Sequence, residues 1–366
     1  MRNKIKILYT IPNFDTAGSG KVVYDLVKGL DKDKFSPEIC CFHSKGAFFK
    51  EIAALGVPIH IFKFTTNLQP YITLVFRIFK IISFFKKHKF DIIHSWHWSS
   101  DITEPLAAKF AGIKWIYTKK SMSWGSPKKW KLRSKLSSKI LVLNSDMLPR
   151  YFKNQQDKIE LIYLGVDLKK YKPQKKIYTT PLGHEFAKKD FVIVTVANLV
   201  PIKGIEYLIK AVNKINDASI KLLIVGNNKN KYGQTLLGEN TNPNIIFIDK
   251  QLDVRPYHAV SDVFVIPTKT SWEGLPVAPL EAMSATRIVI GSNVEGVREV
   301  LFNFKNCMFP PKDSQKIKEK IEWIRAMNTE EKEILQHQMR KEIEKNFSLA
   351  VCISKHEQIY FETLSI

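Results

Sequence analysis

Short apolar runs alternate along this chain with longer stretches in which apolar positions recur every three or four residues. KIKILYTI, SPEICCFH, VPIHIFKF, FDIIHSWH, IKWIYTK, KILVLN and KIELIYLG have the length and β-branched content of strands. Between them VVYDLVKGLDK, AFFKEIAALG, the segment from about Tyr71 to Lys87, and EPLAAKFAG carry helical spacing. The rhythm restarts after Asp190. FVIVTVANL, IKLLIVGNN, NIIFIDK, DVFVIPT and RIVIGS read as strands, and KGIEYLIKAVNKI, a segment near Tyr257 and PVAPLEAMSA as helices. Two more helical stretches follow, near 313–327 and 329–361. Strand–helix alternation of this kind builds mostly parallel sheets with helices packed on them.

Residues 170–190, KYKPQKKIYTTPLGHEFAKKD, break the rhythm with a polar run carrying two prolines. They read as an interdomain linker. The chain has 366 residues, and a single core rarely grows past about 250–300. The expected fold class is therefore α/β, with two Rossmann-like domains facing one another across a cleft. The first covers 1–175, with the C-terminal helix 345–361 packing back on it, and the second covers 190–340. Ligands of such domains bind beyond the carboxyl ends of the strands.

Charge adds a partner to the picture. The net charge is +22, and it is uneven: residues 52–90 hold six Lys or Arg and residues 105–145 hold ten, with no Asp or Glu in either stretch. Within the first stretch, Phe76, Phe79 and Phe84 lie among Arg77, Lys80 and Lys87; in the second, Trp130 lies in KKWKLRSK. Aromatic rings can enter a bilayer interface while the long basic chains reach the headgroups. An anionic membrane surface is the expected partner, with Phe76, Phe79, Lys80, Phe84, Lys87 and Trp130 as the contact set. No nucleic-acid motif accompanies the charge, so nucleic acid is not expected. A helix that is simply buried, with a solvated basic face, is the plain alternative. The cysteines Cys40, Cys41, Cys307 and Cys352 show no metal-site spacing and suit a reducing compartment. No apolar run reaches transmembrane length free of charge. The expected location is the cytoplasm, peripheral on the inner face of the cell membrane.

Three stretches carry candidate chemistry. TAGSGKVV, residues 16–23, follows the first strand and resembles a Walker loop, but Asp15 stands where the first glycine belongs and Val22 where the Mg²⁺-binding hydroxyl belongs. What remains is a strand, a short glycine loop through Gly18 and Gly20, and a helix: an anion-facing turn or a plain βα turn. SWEGLPVAPLEAM, residues 271–283, sets Glu273 in a loop and Glu281 eight residues on, within a helix started by Pro276. Between them Gly274 and Leu275 offer backbone N–H groups at a helix start. Carboxylates accept bonds from sugar and ribose hydroxyls, and the N–H groups suit phosphate. A capped helix start with a surface Glu is the plain alternative. DIIHSWHWSSD, residues 91–101, places His94 and His97 three apart among tryptophans. A zinc site would need Asp101 or another third ligand; a buried structural role for the pair is the plain alternative, and no metal is expected.

The order and flanks of these stretches resemble the retaining two-domain glycosyltransferases of GT-B fold, in the glycosyltransferase family 4 (group 1) type. Their E-x7-E mark is similar to Glu273 through Glu281 with the following Ala282-Met283. VANLVPIKG, IYLGVD, SDVFVIPT and GVRE, with Gly296 and Glu299, fall where the family has its other segments. The resemblance spans nearly the whole chain. It implies transfer of a sugar from a UDP- or GDP-linked nucleotide sugar, with retention and without a metal or other cofactor. The acceptor it implies is a lipid-linked or cell-surface oligosaccharide, as in capsule or lipopolysaccharide biosynthesis. Glu273 would approach the donor sugar, Glu281 the ribose, and Lys203 the diphosphate. Gly18 and Gly20 would flank the donor, and His97, Trp98 and Lys120 the acceptor.

Two departures stand out. Asn198 occupies the position of the family's phosphate-binding arginine, with Arg298, Arg255 and Arg287 as possible replacements. Lys120 occupies the position of an N-domain histidine. These departures keep two alternatives open: a non-catalytic binding protein on the same fold, and a sugar-nucleotide hydrolase or epimerase.

Overall fold

A computed structural model of the protein describes residues 4–15, 17–123, 125–153, 156–270 and 272–365. Thr16 and Ser271 of the stretches quoted above lie outside that set. The chain divides into two compact units, Met1–Leu164 with Leu349–Ile366, and Gly165–Ser348.

The first unit is built on strands β1 (Ile5–Thr10), β2 (Phe35–Cys41), β3 (Ile59–Ile61), β4 (Ile92–Ser95), β5 (Lys114–Lys119), β6 (Lys139–Val142) and β7 (Ile159–Leu161). They form one parallel sheet in the order β3-β2-β1-β4-β5-β6-β7. The second unit carries β8 (Phe191–Val196), β9 (Ile220–Val225), β10 (Ile245–Ile248), β11 (Val263–Ile266), β12 (Ile288–Ser292) and β13 (Met308–Phe309), in the order β10-β9-β8-β11-β12-β13. Helices cover both faces, which is why β8 and β11 read as near-continuous apolar runs rather than alternating ones: nearly every position in them is buried. Strand order reverses between β1 and β4 in one sheet and between β8 and β11 in the other. Loops diverge at such a reversal and leave a crevice beyond the strand ends. The architecture is two Rossmann-like units, as the alternating pattern predicts.

Several local expectations change. The break in the pattern at 170–190 is not a free linker: it belongs to the second unit, where Thr179 bridges Glu185, and the division falls at Leu164/Gly165. The stretch 329–361 is two helices, Thr329–Asn346 and Leu349–Leu364, interrupted at Phe347-Ser348 where the chain leaves the second unit for the first. Gly18 and Gly20 are not in a glycine loop. The helix Ala17–Gly29 begins before them and places both in its opening turns. A Cβ on Gly20 would stand 3.0 Å from the Phe14 ring, so its glycine fits close packing rather than an open phosphate loop. Lys21 is paired with Asp25 at 2.6 Å one turn further on.

The helix Leu74–His88 is two-faced. Ile81 and Phe85 point into the core, while Phe76 (77% exposed) and Phe79 (64%) face outward with Tyr71, Ile72 and Val75. Two members of the expected membrane set are corrected. Phe84 stacks on Phe62 at 4.2 Å and packs against the core, so it is held by its neighbours. Trp130 is buried on the helix Pro127–Leu136, because its ring packs into the core cluster against Tyr117, with the Lys119 ammonium and the Arg133 guanidinium 5.0 and 5.7 Å from it. His94 is also a core residue: Nδ1 bonds the Tyr360 hydroxyl and Nε2 the Thr118 hydroxyl, each at 2.8 Å. Burial drives its pKa well down.

Candidate active site

In the second unit the chain leaves β8 through Ala197-Asn198, makes a short 3-10 turn at Pro201–Lys203, and enters the helix Ile205–Ile215. Gly204 joins them at φ +66, and a Cβ there would lie 2.2 Å from the Pro267 carbonyl oxygen. Only glycine permits both that backbone and that contact. The close approach locks the loop after β8 onto the loop after β11, and the Lys269 N–H donates to the Ile202 carbonyl at 2.9 Å. As a result Lys203 and Glu273, seventy positions apart, meet at the strand-order reversal. The Lys203 ammonium donates to Glu273 Oε1, and the Thr268 hydroxyl donates to Oε2 at 3.3 Å. Their side chains are 17% and 16% exposed.

A third loop fixes the carboxylate's backbone. Gly296, at φ +80 and ψ −48, opens the helix Val297–Val300. A Cβ on it would stand 2.8 Å from the carbonyl oxygens of both Glu273 and Gly274. Gly274 and Leu275 lead into the helix Val277–Ser284, with Pro276 as its N-cap rather than its first helical residue. Glu281 lies in that helix, and the hydroxyl of buried Tyr171 is hydrogen-bonded to it. Burial, then the Glu281 charge, holds the Tyr171 hydroxyl protonated. Tyr171 was hidden from sequence reasoning inside the apparent linker.

The arginine position is filled by an exposed Asn198. Of the three candidate replacements, Arg287 is buried and donates to the Gln174 carbonyl, and Arg255 is bidentate to Asp253 at 2.8 and 2.6 Å. Arg298 adjoins Gly296 and reaches Asn293 at 3.3 Å.

In the first unit His97, Trp98 and Lys120 gather beyond the ends of β4 and β5, beside the opening turn of Ala17–Gly29. The Lys120 ammonium donates to the Trp96 carbonyl at 2.5 Å and the Ser19 hydroxyl at 3.1 Å. It lies 5.0 Å from the Trp98 ring centre and 5.9 Å from that of Trp96. Burial, with Arg133 adding, lowers it to about 7. His97 is held edge-on to Phe42 and Phe64 and bonds Ser99 through Nδ1 at 3.2 Å. Burial, with the Arg133 and Lys120 charges, pushes the imidazole down to about 3, so it is neutral at pH 7. Beneath them Glu104 and Arg133 are fully buried and 3.6 Å apart. Glu104 accepts from Thr10 at 2.5 Å and Ser95 at 2.7 Å, and Arg133 packs against Trp115, Tyr117 and Trp130. Nothing in the sequence links these two charges. Metal-ligating atoms of His97, Asp101 and Glu104 fall within 4.8 Å of one another, a grouping that excludes His94.

Two family models account for most of the chain. Residues 16–170 match Glycosyltransferase Family 4, and residues 180–346 match Glycosyl transferases group 1. The chain belongs to the GT-B glycosyltransferases. Among relatives of this family, the Staphylococcus aureus capsular polysaccharide biosynthesis glycosyltransferase CapH is 25% identical over 321 residues, 83% of this chain and 86% of the relative. An Escherichia coli UDP-Gal:alpha-D-GlcNAc-diphosphoundecaprenol alpha-1,3-galactosyltransferase is 25% identical over 329 residues, 82% and 83% of the two chains. A glycosyltransferase structure from Rickettsia africae superposes with TM-score 0.84 at 20% identity, covering 99% of both chains. Anabaena HepE in complex with UDP and glucose superposes with TM-score 0.79 at 18% identity and the same coverage. A GT-B glycosyltransferase takes its sugar from a nucleotide-sugar donor.

Proposed function

We propose that the chain is a retaining glycosyltransferase that moves a sugar from a UDP- or GDP-sugar to a lipid-linked or cell-surface glycan acceptor. The observation that carries this reading is the Lys203–Glu273 pair, held at the β8/β11 reversal by two glycines that admit no side chain. As the bond between the sugar and the diphosphate breaks, charge develops on the leaving phosphate. Lys203, turning from Glu273 to the diphosphate, and the helix start at Gly274 and Leu275 meet that charge. Arg298 is the cation best placed to stand in for the arginine that Asn198 replaces. Glu273 is freed to accept from donor hydroxyls, and Glu281, steadied by Tyr171, takes the ribose. The acceptor hydroxyl forms the new bond on the face the diphosphate leaves, and its proton passes to the departing phosphate oxygen. No protein base is then needed, which suits a neutral, enclosed His97.

The acceptor class is supported by the relatives' names, which include capsule biosynthesis and a diphosphoundecaprenol-linked sugar. The outward face of Leu74–His88 supports peripheral attachment to the inner face of a membrane through Phe76, Phe79, Lys80 and Lys87. Among the described residues no helix is long and apolar enough to cross one. Nucleotide release from a panel of UDP- and GDP-sugars, with and without a lipid-linked acceptor, tests the reaction. The anomeric configuration of the product, read by NMR, tests the stereochemistry. Inverted product, or release that no acceptor stimulates, contradicts the proposal.

A further inference from the structure

Among the described residues, the enclosed Lys120 amine has no counter-ion. Its two acceptors, the Trp96 carbonyl and the Ser19 hydroxyl, are both neutral. Among the described residues no carboxylate lies within ion-pair distance of it. Glu104, the buried acid beneath this cluster, is already committed to Thr10, Ser95 and Arg133. Lys119, its chain neighbour, points the other way, donating to the Ser121 carbonyl and lying over Trp130 and Tyr151. A charge taken out of water without a partner is costly. A binding site can tolerate one where a ligand brings the opposite charge. Beside the ammonium Trp98 is 56% exposed, an unusual state for an indole next to a buried cluster. An exposed indole offers an apolar surface to the C–H face of a pyranose and leaves the sugar's hydroxyls in water. The two features lie next to the β1/β4 reversal, where an α/β sheet binds its ligand.

Building on the transferase reading, we infer that Trp98 and Lys120 form a subsite for a sugar carrying an anionic diphosphate. The pyranose packs on Trp98 and a phosphate oxygen takes the third N–H of Lys120. The acceptor, rather than the donor, is its occupant. This makes Lys120 a specificity residue: it selects diphosphate-linked acceptor sugars over neutral glycosides.

Direct binding separates this from the transferase reading, because it needs no turnover. The probes are undecyl-diphospho-N-acetylglucosamine and the neutral undecyl N-acetylglucosaminide, titrated calorimetrically below their micellar concentrations into the full chain, with UDP as a third ligand. The diphosphate probe is expected to bind tighter than the neutral one. Lys120→Met should weaken it about 10- to 100-fold, the loss of a charged hydrogen bond. The same change should leave the neutral probe and UDP within about threefold, and unchanged UDP binding shows the variant is folded. Lys120→Arg, which keeps the charge, should recover most of the affinity, and Trp98→Ala should weaken both sugar probes. Equal binding of the two probes overturns the inference. So does an equal loss for both in Lys120→Met, a loss confined to UDP, or saturable UDP binding with no binding of either sugar probe. Loss of transfer in Glu273→Gln bears on the reaction and leaves these titrations unchanged.

Discussion

Replacing Gly296 by alanine probes how tightly the carboxylate loop is held. Its φ of +80 with ψ of −48 is a backbone state that side chains avoid. The added Cβ would also lie 2.8 Å from the carbonyl oxygens of Glu273 and Gly274, so backbone must move by several tenths of an ångström. Strain of this kind costs about 1–3 kcal/mol, which for a domain of this size lowers Tm by roughly 2–4 °C per kcal/mol. Gly183 provides a matched control. It too has φ +80, yet a Cβ there meets nothing within 4 Å. Gly183→Ala therefore carries backbone strain without the collision. Both variants should lose stability in thermal unfolding. Only Gly296→Ala should lose donor turnover, by about 10-fold or more, since a misplacement of about 1 Å near the reacting atoms can cost 100-fold. If the two variants keep equal transfer rates, the Gly296 contact does not position Glu273 and the reasoning fails.

Three further outcomes are expected. Phe76→Ser with Phe79→Ser should lower partitioning onto anionic liposomes by at least about 100-fold, since each ring is worth about 1.5–3 kcal/mol of apolar burial; Phe84→Ser should instead lower Tm, and unchanged sedimentation of the double variant would refute membrane attachment. Glu104→Gln leaves Arg133 buried without its counter-ion and should destabilise the chain by about 3–5 kcal/mol in urea unfolding, with Glu104→Met plus Arg133→Leu recovering most of it. Burial lowers Lys120 to about 7 in the folded chain, against about 10.4 unfolded. The unfolded state therefore binds the extra proton between those values, so this group's penalty is full below pH 7 and is relieved as pH rises toward 10. The stability gained over wild type by Lys120→Met should shrink across that window, and a pH-independent difference would show that Lys120 is not depressed.

Much of this was legible before the fold was in hand, and the reasons are local. A parallel strand covered on both faces is apolar at nearly every position, so FVIVTV and VFVI announce themselves. Glu273 and Glu281 sit on one continuous loop and helix, so their relation survives in the sequence. Other features depend on contacts across the chain and left no local trace. Arg133 and Glu104 are separated by a helix and a strand, and Tyr171 reads as linker because its neighbours are Lys and Pro. Trp130 looked like an interfacial residue because its segment is basic. The segment is a helix whose Lys side chains face water while its tryptophan and Arg133 turn inward. Gly18 and Gly20 misled for the opposite reason, since glycine marks loops but is tolerated in the opening turn of a helix.

The most direct test of the central claim is donor turnover by Glu273→Gln. The substitution keeps the side chain's shape and removes the charge that pairs with Lys203 and accepts from donor hydroxyls. Transfer from the preferred nucleotide sugar should fall by at least about 100-fold, while UDP or GDP binding stays within a few-fold and the protein remains folded. Transfer at the wild-type rate would place the chemistry elsewhere in the chain.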